Sequence, residues 1–125
     1  MQNMATLEIE RDDWKPFLDS FSRRHEGWLV TVEVLAPELG DQIAIDNLPL
    51  CGITTETTGD DSIEITVIGQ GDQHLTHTVD APREVWLKQT DRGADEVLEV
   101  ASGATVTLVR FRSAMRPEEV DGLPS

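Results

Sequence analysis

The chain has 125 residues, 38% of them hydrophobic, and 24 Asp and Glu against 10 Lys and Arg give it a net charge of −14. That length fits one domain burying about two-thirds of its unfolded surface, and that charge repels a phosphate backbone, which disfavours general nucleic-acid binding and anionic membranes. No apolar run approaches the roughly 20 residues of a membrane span, and the opening MQNMATLEIE lacks a signal peptide's basic and apolar regions, so a cytoplasmic protein is expected.

Thr6 to Glu10 alternates Leu7 and Ile9 with Glu8 and Glu10, a short extended lead-in. Trp14, Phe17, Leu18 and Phe21 then recur at i, i+3, i+4 and i+7 and predict an amphipathic helix over about 13–26. Asp12 or Asp13 offers an N-cap carboxylate. Pro16 falls in the first turn, where a missing N–H costs little. Gly27 closes the helix behind Arg23, Arg24 and His25, which suit the negative end of its dipole.

From Trp28 the period changes to two, with Trp28, Val30, Val32 and Val34 on one face. Ala36 to Asp41 is a turn. Gln42 to Asp46 and Leu48 to Thr57 read as strands interrupted near Pro49, which cannot donate to a ladder and marks an edge or bulge. Thr58 to Asp61 turns into Ser62 to Ile68, with Ile63, Ile65 and Val67 inward. After Gly69 to Gln73, Leu75, His77 and Val79 share a strand face that ends at Ala81-Pro82. Glu84 to Thr90 pairs with Glu96 to Ala101 across Asp91 to Asp95, and Ser102 to Ala104 turns into the last strand, Thr105 to Arg112.

Loops this short call for antiparallel neighbours. The expected fold is α+β, mainly β: one N-terminal helix packed on a strongly curled antiparallel sheet of six or seven strands, a small or partly open β-barrel. Residues 1–112 form a single domain, helix about 13–26 and strands about 28–112. Residues 113–125, which hold two prolines and three acids without periodicity, read as a flexible C-terminal tail.

Most motifs dissolve on inspection. His74 and His77 spell H-x-x-H, yet on a strand they point to opposite faces and cannot share an ion. His77 instead reads as a buried neutral imidazole bonded to a carbonyl or hydroxyl. Cys51, the only cysteine, sits among apolar residues and reads as a small buried hydrophobe in a reducing compartment. Asp19, Ser22 and His25 match a catalytic triad by composition, but one continuous helix does not converge them and no oxyanion motif accompanies them. Gly69-Gln70-Gly71-Asp72 precedes a strand rather than a helix, which makes it a hairpin turn and not a phosphate loop. Asp60, Asp61 and Asp72 lack the spaced ligands of a calcium loop. No catalytic residue, cofactor or metal site is assigned.

What remains is a candidate interaction surface of Arg23, Arg24, His25 and Trp86. His25 returns to the Trp14 stripe at the helix end. It could act as a pH-sensitive contact, although bonding the last helix carbonyls or stacking on Trp28 is the favoured reading. Trp86 lies opposite the Val85 and Leu87 face, where an outward aromatic suits an interface, although burial under the helix or by a second subunit fits equally. Arg110 and Arg112 form a strip suited to salt bridges or an acidic partner. The leading expectation is therefore a non-catalytic cytoplasmic binding module with a protein partner, and a homo-oligomer is compatible with it. The alternatives are a small-ligand-binding or enzymatic barrel with a pocket near His25 or His77, and an acidic protein mimicking nucleic acid. The acidity itself suits solubility or a high-salt cytoplasm.

The run from Trp14 to Trp28 (WKPFLDSFSRRHEGW) resembles the opening of a family of short prokaryotic proteins known as a domain of unknown function. Leu48 to Ile53 (LPLCGI) and His77 to Val85 (HTVDAPREV) resemble it as well. The similarity runs from about Trp14 to Arg112. It implies a single compact domain and brings no activity, ligand or catalytic residue with it.

Overall fold

A computed structural model describes residues 5–57, 59–89 and 95–112. Strand β1 (Ala5–Ile9) leads through a 3-10 turn at Arg11–Asp13 into helix α1 (Trp14–His25). Then follow β2 (Leu29–Ala36), β3 (Gly40–Glu56), β4 (Ser62–Ile68), β5 (His74–Asp80), β6 (Glu84–Gln89), β7 (Asp95–Ser102) and β8 (Thr105–Arg112). All eight strands join one antiparallel sheet in the order β1-β6-β7-β8-β2-β3-β4-β5, so β1 and β5 are its edges and the barrel is partly open.

The lead-in is thus a full edge strand. The two strands expected at Gln42 to Asp46 and Leu48 to Thr57 are also one: β3 runs unbroken for 17 residues. Its first part pairs with β2 and its second part with β4. Register shifts opposite Val30 to Glu33, and again between Leu50 and Gly52, absorb the irregularity that the proline signals. Asn47 occupies one shift in a left-handed conformation (φ 59°), and its N–H donates to Thr31 Oγ1 at 3.1 Å.

Alternation divides the sheet into an inner and an outer face. Leu87, Leu98, Val109 and Val32 lie side by side across four strands, all buried, while the next row, Lys88, Val97, Arg110 and Thr31, points to the outer face, where Val97 is itself buried. Helix α1 lays Trp14, Leu18 and Phe21 onto the inner face, and each contributes about 1.5–3 kcal/mol by burial. Phe17, the fourth member of the stripe, is half-buried.

The helix also completes β3. Ile53 N–H donates to Ser22 Oγ at 2.8 Å, and the same hydroxyl donates to the Ile53 carbonyl at 2.9 Å. Ile53 therefore turns both backbone groups away from β4, its partner strand, towards the helix. Just beyond, Gly27 N–H donates to Leu50 O at 2.9 Å and Leu50 N–H to Trp28 O at 2.8 Å. Gly27 ends the helix with φ 87°, a conformation that favours glycine. At the other end the expected side-chain cap is not made: neither Asp12 nor Asp13 caps the helix, because the 3-10 turn holds Asp13 in helical backbone (φ −99°, ψ −3°) where a capping residue needs an extended one.

Candidate binding surface

His25 closes a column of rings. Phe17, Phe21 and His25, four residues apart along the helix, stack with centroids at 5.4 and 4.0 Å. Trp28 meets His25 edge-on at 4.5 Å, and Phe111 touches both Phe21 and His25. The imidazole is only 3% exposed. Its Nδ1 lies 2.9 Å from Phe21 O, and since a carbonyl only accepts, Nδ1 carries the proton. Asp19, Ser22 and His25 accordingly form no relay, because Ser22 serves Ile53 and His25 serves Phe21.

The four residues of the expected surface occupy three different settings. Arg23 and Arg24 are exposed on the last turn of α1, with the Arg24 guanidinium 5.5 Å from the Phe21 ring centroid. His25 is inside. Trp86 lies on the outer face of β6, away from the helix, with Glu8 and Glu99 as cross-strand neighbours and its Nε1–H donating to Glu84 at 3.2 Å. Contact between His25 and Phe111 does, however, put the last helical turn at the end of β8 that carries Arg110 and Arg112.

There the bulge at Asn47 leaves a depression of about 320 Å³ on the sheet, lined by Leu29, Thr31, Asn47, Arg110 and Arg112 among others. Arg110 donates to Glu33 at 3.1 Å, whereas Arg112 makes no ion pair among the described residues. A second depression gathers Arg11, Asp60, Asp61, Arg83 and Ser102 at the opposite end of the strands. Its floor is a clip. Arg11 holds Asp61 through two bonds of 2.8 and 2.9 Å and reaches Thr57 O at 3.3 Å. The hydrogen bond from Arg11 lowers the Asp61 carboxyl below its ordinary value. Ser102 Oγ donates to Asp80 O at 2.6 Å beside Ala81, which adopts φ 53°.

The histidines of H-x-x-H point as alternation requires, His74 outward and exposed and His77 inward opposite Ile65. Burial lowers the His77 pKa. Neither His25 nor His77 lines either depression. Cys51 is half-buried. Among the described residues no three His, Cys, Asp or Glu side chains gather as metal ligands, and no helix is long and apolar enough to cross a membrane.

The model of a family of unknown function (DUF5335) matches residues 5–120. The chain belongs to that family. An uncharacterised protein of Aquifex aeolicus (strain VF5) is similar to this family member, 27% identical over 112 residues that cover 90% of this chain and 96% of the relative. No solved structure matches it. The match begins at residue 5, before the resemblance that starts at Trp14, and so takes in edge strand β1.

Two features of this family member have no local signature. Arg11 and Asp61 are fifty residues apart, and Ser22 and Ile53 thirty-one. Only a paired charge in an otherwise acidic stretch, and a serine midway along a helix, could have hinted at them.

Proposed function

We propose that this protein is a non-catalytic cytoplasmic interaction module that takes an acidic segment of a partner protein at its arginine-bearing end. The observation that carries the reading is the depression at the Asn47 bulge. There Arg110 and Arg112 flank apolar Leu29 and polar Thr31, so charge and apolar contact are offered together. A guanidinium binds a carboxylate through two parallel bonds, which makes arginine the apt base for such a contact. Arg23 and Arg24, exposed on the helix that packs on the inner face, add positive charge at the same end of the strands from the other side of the sheet. The histidine ring beneath them acts as packing, with its proton committed to Phe21 O. A lone half-buried cysteine suits a reducing cytoplasm.

Fluorescence anisotropy with a labelled Asp/Glu-rich peptide tests the reading. The wild-type protein is expected to bind with salt-sensitive affinity, and Arg112→Glu to weaken it by about tenfold or more. Arg23→Glu should act in the same direction. Absence of binding, or affinity unchanged in both variants, would refute the assignment.

A further inference from the structure

Strand β5 is a sheet edge without the usual protection. Its seven residues pair with β4 in unbroken register from Ser62–Asp80 to Ile68–His74; the Asp80 carbonyl at its end is taken by Ser102 Oγ of β7, and no described strand pairs with the other side of residues 74–79. Alternate residues of such a strand direct N–H and C=O groups outwards, a template for another chain. Natural edges are blunted by lysine, proline, a bulge or shortness. HLTHTVD contains neither Lys nor Pro, and no bulge interrupts its pairing. Its side chains alternate: Leu75, His77 and Val79 face inward, His74, Thr76 and Thr78 outward, and Thr76 shares a hydroxyl bond of 3.0 Å with Thr66 of β4. Leu75 remains 43% exposed although it faces the inner side.

The charge along this edge is negative, with exposed Arg83 just beyond its end. Residues 26–82 contain eleven Asp and Glu and not one Lys or Arg. Those residues build the whole β2-β3-β4-β5 half of the sheet. Glu64 lies beside Thr78 on the outer face, Asp80 ends the strand, and Asp72 precedes it, all three exposed. Arg11 reaches into this region from outside, and it is spent on Asp61. An added strand would run about 4.8 Å from β5, within the screening length of about 8 Å at physiological salt. Incoming charge would therefore feel Asp80 directly, and a long basic side chain would span Thr78 to reach Glu64. The same field repels a second copy of this chain, whose β5 carries the same acids.

We infer that the free edge of β5 accepts an extended, lysine- or arginine-bearing segment of a partner protein as a ninth strand. Main-chain bonds hold the segment, alternate basic side chains face Glu64 and Asp80, and the intervening apolar side chains cover Leu75. This surface is separate from the arginine-bearing end and does not depend on it.

The test uses the full chain and a labelled peptide of about ten residues alternating Lys with Val. A matched peptide with its alternate backbone amides N-methylated keeps the charge and loses the pairing. The unmodified peptide is expected to bind and to slow amide hydrogen exchange within residues 74–80, while the methylated one binds at least about tenfold more weakly. Glu64→Lys and Leu75→Lys should each weaken binding at unchanged melting temperature, and Thr76→Lys replaces Leu75→Lys if that variant folds poorly. Equal affinity for the two peptides would reduce the interaction to general electrostatics and overturn the inference. So would binding without exchange protection at β5, or no binding at all.

Discussion

Replacing Ser22 with Ala separates helix docking from helix formation, because the two respond with opposite sign. Alanine is the better helix former, so in an isolated helix the change is neutral or stabilising by a few tenths of a kcal/mol. In this fold the Ser22 hydroxyl is the partner of both Ile53 N–H and Ile53 C=O, at 2.8 and 2.9 Å, and Ile53 is fully buried. Removing it deletes two neutral hydrogen bonds of about 1 kcal/mol each and leaves buried groups unpaired at about 1–3 kcal/mol apiece. Since the bonds and the unpaired groups are two views of one loss, the expected cost is about 2–4 kcal/mol. That is a large part of the roughly 5–15 kcal/mol that keeps a domain folded. Urea unfolding followed by tryptophan fluorescence reads the cost as a fall in midpoint at constant slope. Ser20→Ala on the same helix, where no such bridge exists, is the control. A loss below about 0.5 kcal/mol, or one no larger than the control's, would show that the bridge does not hold the helix to β3.

Two further outcomes follow from charge. In Arg11→Gln the Asp61 carboxyl should return upward to its ordinary value in an NMR titration, because the Arg11 hydrogen bond is what lowers it. The clip's stabilisation is present above the ordinary carboxylate value and is lost as pH falls through the lowered one, so this variant should show a shallower acid limb in its stability profile. His77 titrates in the other direction: burial lowers its pKa from an ordinary value near 6.5. Protonation therefore favours the unfolded chain, and stability should fall as pH drops from that ordinary value towards the lowered one. His77→Gln should flatten this part of the profile, and an unchanged profile would mean that the imidazole is not desolvated.

Periodicity carried most of the fold. The Trp14–Phe17–Leu18–Phe21 stripe and the opposed faces of His74 and His77 could be read because both repeats are local. Proline at position 49 signals an edge or bulge, and bulges are found on either side of it, but the interruption expected near Asn47 is absorbed within one continuous strand in which Pro49 sits opposite Leu29. The helix cap fails for a local reason, since the 3-10 turn carries Asp13 into helical backbone and away from the extended conformation a capping residue needs. Ser22–Ile53 and Arg11–Asp61 escaped because tertiary folding, not spacing, brings those pairs together. The expected Asp91–Asp95 turn and the tail at 113–125 involve residues outside those described. As for the surface, the sequence pointed to the helix end, and the chain's path then divided that end into two exposed arginines and one sealed ring.

The long third strand has a further consequence, for how the molecule comes apart. Its first part belongs to the ladder that runs through β2 to β8, β7, β6 and β1, and its second part to the ladder of β4 and β5. Peeling off either ribbon strips hydrogen bonds from a strand that the other ribbon needs in order to stay straight. Neither half can then melt on its own schedule. Heat and denaturant should meet one cooperative unit, with tryptophans in the helix region and on β6 reporting the same transition.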